Sequence, residues 1–290
     1  MHAPPQLKAI LPMHALADRY NQDVHYHGGC LPVHESVAWA GRMVALNALP
    51  PLPEIVGDEW KALWLERLEN TPQWPVDWLQ HQTRDAFWQN GSLCDNWDSI
   101  VCPVFAIGGW ADSYHDFVLQ ILENLKVPRK GLIGPWLHDR PHTAKPGPQL
   151  DFLHEMVRWW DQWLKGIETG IMDEPILTVW VQESRPPDPY LATVPGYWRY
   201  ETEWPVARTQ QQKWSLGDLR TLQVEEPVES QSDEWNGPQT VGIAAPFWCT
   251  GFRPSGMPRD QRLDDACALA FTGAPLEAPI EILGFPQVSL

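Results

Sequence analysis

The 290-residue chain carries 37 acidic against 21 basic residues, a net charge of −16, and 43% of its residues are hydrophobic. That content supplies a sizeable core, enough for roughly two domains. The acidic balance, with no basic clusters, argues against nucleic acid or an anionic membrane as partner. No apolar run approaches the about 18 residues of a membrane span, and MHAPPQLKAI has neither the basic start nor the apolar core of a signal peptide. The five cysteines (30, 94, 102, 249 and 267) are odd in number and contain no C-x-x-C. They suit buried thiols in a reducing compartment, so the cytoplasm is expected. Eighteen tryptophans point to aromatic core and to clefts for apolar groups.

In chain order, residues 7–13 form a short apolar strand. The polar stretch DRYNQDVHYHGGCLPVHE follows, with His25, His27, Cys30 and His34. These types coordinate zinc, but their spacing matches no common zinc module, and clustered histidines also satisfy backbone groups or line pockets. A metal-dependent hydrolase using this cluster stays open as an alternative, although no metal is assigned. Helices are expected over 35–48 and 57–69, the second with Trp60, Leu63, Trp64 and Leu68 on one face, and two short ones over 74–91. Residues 19–99 thus form a helical insertion.

Residues 102–138 organise the rest. The run at 103–108 is a short strand closed by glycines. Ser113 and Asp116 have capping-box spacing, and Val118, Ile121, Leu122 and Leu125 mark a helix that Pro128 stops. Residues 131–134 are a second strand. A strand–helix–strand unit of this length is a parallel crossover, which sets Asp112 and His138 just past two strand ends, where chemistry collects in open α/β sheets. Asp112 could orient the imidazole and His138 could act as base. The plainer reading makes Asp112 a helix cap and His138 a loop histidine. His142, four residues on, is the alternative base.

Residues 150–165 read as a helix with Leu153, Met156, Val157, Trp160, Leu164 and Ile167 as its buried stripe, and with Glu155 and Asp161 on a solvated face. From about Met172 the period changes to two, at ILTVWVQ, YWRYE and QKWSL. Residues 224–260 are expected to be long loops.

GGWAD, GPWLH and RWWDQWLKG together resemble the CocE/NonD family of α/β-hydrolases, which includes cocaine esterase, glutaryl-cephalosporin acylases, α-amino-acid ester hydrolases and Xaa-Pro dipeptidyl peptidases. The resemblance runs from about Leu7 to the last residue. It implies a Ser-Asp-His triad with Asp112 as acid and His138 as base, acting on a small ester or peptide substrate, without a cofactor. Trp110, Tyr114 and Trp136 flank these residues as candidate pocket walls, with packing the plainer role for each. The domains implied are a partial α/β-hydrolase (1–18 and 100–171), a helical cap (19–99) and a jelly-roll-like β-sandwich (172–290).

The nucleophile is missing from this pattern. It should precede Asp112 in a G-x-S-x-G elbow, yet Ser36, Ser92 and Ser99 lack the glycines, and Ser215 follows the histidine. The HGG at residues 27–29 looks like an oxyanion loop but falls after the strand it should precede. The chain therefore reads as lacking the family's serine half and the last sandwich strands, and as inactive alone. A partner-complemented or non-catalytic ligand-binding fragment is the other reading, and a homo-oligomer is possible.

Overall fold

The structure, a computed structural model, describes residues 3–217, 220–224, 232, 234–245 and 257–289, except for the side chains of His34 and Glu35. Two compact units divide it, one built around Ala15–Val101 and the other from Gln6–His14 with Cys102–Leu290.

The second unit is organised by VFAIGG, strand β1 (Val104–Gly109), buried at all six positions. A continuous apolar run of this kind belongs to a strand covered on both faces. Helix α6 (Asp116–Asn124) returns the chain to strand β2 (Arg129–Gly134), which pairs with β1 in parallel from Val104–Arg129 to Gly109–Gly134. On the other side of β1 run residues 7–13. They bridge Ile10 to Val104 and Met13 to Ile107 in parallel, and the Phe105 and Ile107 amides donate to the carbonyls of Ile10 and Pro12 at 3.1 and 3.0 Å. Pro12 has no amide to donate, which keeps this segment short of a full ladder.

Beyond β2 lie strand β3 (Leu177–Gln182), parallel to it, and strand β4 (Gly196–Glu201), antiparallel to β3. Strands β3 and β4 thus extend the sheet of β1 and β2. Strands β5 (Trp214–Gly217) and β6 (Thr221–Val224) form a hairpin of their own. The described residues draw a sheet extension and a hairpin rather than a complete jelly roll. Much of the expected 224–260 loop, Cys249 included, lies outside the described residues.

Helix α7 (Phe152–Leu164) covers one face of the sheet, started by Asp151, whose carboxylate accepts from the His154 amide at 3.3 Å. Its buried side chains are Phe152 and Trp159, with Met156 and Trp163 packed beside them against Phe105, Leu132 and Trp136. The expected stripe is corrected here: Leu153, Val157, Leu164 and Ile167 are about half exposed. Both stripes have helical spacing, and the one with the larger rings gains more by burial. Glu155 and Asp161 pair with Arg158 and Lys165 at 2.9 and 2.6 Å. The capping box is also replaced, since α6 begins only at Asp116 with no side-chain cap.

The first unit holds helices α1 (Val33–Asn47), α2 (Pro53–Val56), α3 (Trp60–Asn70), α4 (Trp74–Gln80) and α5 (Ala86–Gln89). Tyr20, Tyr26 and Trp88 are its centre, and the Trp88 indole donates to the His81 carbonyl at 2.6 Å. No residue of α3 is buried, so its apolar face is not the core stripe its spacing suggested. Cys102 is buried as expected, whereas Cys30 and Cys267 are exposed thiols. Among the described residues no helix is long and apolar enough to cross a membrane.

Candidate active site

Three parallel segments end side by side, and each is followed by a titratable residue: His14, Asp112 and His138. Two glycines let them converge. A Cβ on Gly109 would stand 2.1 Å from the Trp136 carbonyl oxygen, and one on Gly134 would stand 2.4 Å from the Trp136 ring. With neither present, the chain after β2 crosses directly over the end of β1. There the Ala111 amide donates to the Trp136 carbonyl at 3.1 Å and the Trp110 amide to the Gly134 carbonyl at 2.8 Å. The Asp112 amide closes a tight turn onto the Gly109 carbonyl at 2.9 Å. GGW and GPW are one interlocked joint, and it fixes Asp112 against His138.

The Asp112 side chain is wholly buried. His138 Nδ1 lies 3.1 Å from each of its oxygens, and His14 Nδ1 lies 2.6 Å from Oδ2. An ionised carboxylate only accepts, so both rings donate from Nδ1. In its neutral form His138 then carries its lone pair on Nε2, and the ring is partly open to solvent. The His14 and His138 rings lie against each other, tilted by 36° with centroids 4.0 Å apart. Burial alone pushes the Asp112 carboxyl up, but hydrogen bonds and charge from His138 and His14 outweigh it and hold the group at about 2. A depressed carboxylate stabilises the fold above its ordinary value and loses that stabilisation as pH falls through the depressed one. Between pH 5 and pH 2, urea melts should therefore show Asp112→Asn losing about 2 kcal/mol less than the parent, the other carboxylates titrating alike in both.

His115 lies on the far side of the turn, with Nδ1 2.5 Å from the Asp112 carbonyl and Nε2 3.1 Å from Asp116. Burial lowers its basicity, but these acceptors prevail and raise it. Tyr114 faces His138 with ring centroids 5.5 Å apart, a position suited to a pocket wall. Trp110 is anchored by its indole on the Trp180 carbonyl at 2.8 Å. Trp136 is 1% exposed and bonds the Pro148 carbonyl at 2.8 Å, so it is core rather than pocket wall. His142 stacks on Phe152 at 6.3 Å, its Nδ1 buried without a partner. Its bonds do not include Asp112.

Of the zinc candidates, His25 pairs with Asp23 and packs edge-on to Trp78 at 4.1 Å. His27 and Cys30 exchange backbone hydrogen bonds at 2.9 Å, and the His34 side chain lies outside the described residues. Among the described residues three metal-ligating side chains meet only at His14, Asp112 and His138. Donors around a tetrahedral ion at about 2.0 Å stand about 3.3 Å apart, wider than the 2.6 Å between His14 and Asp112. The three are spaced as hydrogen-bond partners. The upstream serines are engaged locally: Ser92 and Ser99 hydroxyls donate to the Trp88 and Asn96 carbonyls at 2.6 and 2.8 Å, and Ser36 is buried.

A parallel sheet with a carboxylate-bound histidine at adjacent strand ends defines an α/β-hydrolase-like fold. The X-Pro dipeptidyl-peptidase (S15 family) model matches residues 1–140, and the X-Pro dipeptidyl-peptidase C-terminal non-catalytic domain matches residues 169–290. The chain is 29% identical over 198 residues to a Mycobacterium bovis protein named as a serine esterase, and 24% identical over 244 residues to cocaine esterase of Rhodococcus sp.. These matches cover 64% and 73% of the chain but only 30% and 40% of the relatives' lengths. Two crystal structures of a CocE/NonD family hydrolase from Staphylococcus aureus superpose with TM-scores of 0.51 and 0.52 at 16% identity, over 76% of this chain and 34% of theirs. Together these matches support the CocE/NonD family of cocaine-esterase- and X-Pro-dipeptidyl-peptidase-like hydrolases.

Proposed function

We propose that the chain carries the acid and base of a serine hydrolase that cleaves an ester or peptide bond through an acyl-enzyme. The observation behind this reading is the wholly buried Asp112 carboxylate on His138 Nδ1, at the ends of neighbouring parallel strands. Asp112 holds the tautomer whose Nε2 lone pair can take the serine proton and stabilises the imidazolium that forms. His138 then passes that proton to the leaving group, and repeats the exchange with water to release the acyl group. Nucleophile and oxyanion donors are assigned to no residue of this sequence, because no serine here has elbow glycines. With this reading go the partial hydrolase, cap and sandwich divisions at 1–18 with 100–171, 19–99 and 172–290, and Tyr114 as a pocket wall.

Purified alone, the chain should neither hydrolyse p-nitrophenyl acetate above the buffer rate nor take up an alkyl fluorophosphonate. The protein as made in its source cells should be labelled on a serine. Label on a serine within these 290 residues would overturn the placement of the nucleophile. No label in either preparation would overturn the hydrolase.

A further inference from the structure

His14 is not needed for an acid–base pair, yet it makes the shortest bond to the acid. Three observations set it apart from a bystander. Its Nδ1 lies 2.6 Å from Asp112 Oδ2, whereas His138 is shared between both oxygens at 3.1 Å. Its backbone is left-handed, at φ 52°, a conformation costly for a residue other than glycine and kept where the surroundings demand it. Its ring lies against that of His138, tilted by 36° with centroids 4.0 Å apart.

We propose that His14 is a positioning residue, which donates to Asp112 and so sets how strongly that carboxylate holds His138. The proposal rests on reading Asp112 and His138 as acid and base. The physics has one sign. A neutral His14 draws electron density from the carboxylate and leaves less to stabilise a His138 imidazolium. A protonated His14 repels that imidazolium directly. Either way His14 keeps His138 less basic than Asp112 alone would make it, and so closer to a useful general base near neutrality. Among the described residues, other titratable groups near the pair are Tyr114 against the His138 ring, His115 on the Asp112 carbonyl, and Asp116 on His115. His115 and Asp116 act on Asp112 through its main chain, so they do not compete for the carboxylate.

The test is the proton titration of His138 by nitrogen NMR of the imidazoles in the purified chain. His14→Phe keeps the ring volume and removes the donor, and should raise the His138 midpoint by about one pH unit. His14→Asn places an N–H at the same distance from the backbone as Nδ1 and tolerates the left-handed conformation. It should restore a midpoint near that of the parent. A structural role predicts no such split between variants of equal stability. An unmoved or lowered midpoint in His14→Phe, or an Asn variant that behaves like Phe, overturns the proposal. Should His14→Phe fail to fold, the parent spectrum decides: His14 must carry its proton on Nδ1 at high pH, and an Nε2 proton there overturns the assignment. No substrate is used, so this outcome is separate from that of the hydrolase reading, which the fluorophosphonate label decides.

Discussion

Gly109→Ala is expected to cost about 3 kcal/mol of stability, at the upper end of what overpacking does. The added methyl would meet the Trp136 carbonyl oxygen at 2.1 Å and its carbon at 2.7 Å. These are backbone atoms and cannot rotate away. Relief requires the turn after β2 to lift off the end of β1, which breaks the Ala111–Trp136 hydrogen bond and moves His138 from Asp112. Urea unfolding checks it, with Gly41→Ala in α1 as control. A Cβ at Gly41 meets nothing within 4 Å, and alanine is the better helix former by about 1 kcal/mol. The two alanines should shift the midpoint in opposite directions. A Gly109→Ala protein within 0.5 kcal/mol of the parent, roughly the noise of a surface change, would show that the joint is not tight.

If the proposed acid–base pair is right, His138→Ala should lower kcat of the protein from its source cells by about 10⁴-fold with little change in KM. On the proposed reading the imidazole acts on protons in flight and not on bound substrate, and general acid–base groups contribute up to that factor. His142→Asn is the contrast, since its ring packs on Phe152 away from the carboxylate, and turnover should hold within a few-fold. Kinetics on an activated ester separates the two histidines. Equal losses, or a His138→Ala enzyme within tenfold of the parent, would remove His138 from the base role.

The crossover unit was legible because its signals agree: an apolar run, a glycine pair, a 3.6-residue repeat, a proline stop and a second run. Each is local, and together they place Asp112 and His138 at one edge without distant information. What failed was decided by competition at a distance. FLHEMVRWWDQWL has apolar residues on two faces, and periodicity cannot rank them; the sheet accepts Phe152 and Trp159 because their rings fill it. The Ser113 capping signal lost because residues 112–115 are held by the Asp112 turn and by His115. His14 was passed over as the residue after a short strand. Its signal was available all the same, since it is the third titratable residue to follow a parallel strand end. The motif glycines were read as turn formers, while their reason for being glycine is a carbonyl and an indole brought over them by residue 136.

The half-exposed Leu153, Val157 and Leu164 of α7, with Ile167 just beyond its end, bear on how the molecule behaves in concentrated solution. A net charge of −16 makes two copies repel at long range, with a reach of about 10 Å at 0.1 M salt and about 3 Å at 1 M. The aliphatic row attracts only on contact. Dilute buffer therefore keeps the copies dispersed. Added salt removes the repulsion first and leaves the greasy row to govern their encounters, so this acidic protein should stay dispersed best at low ionic strength.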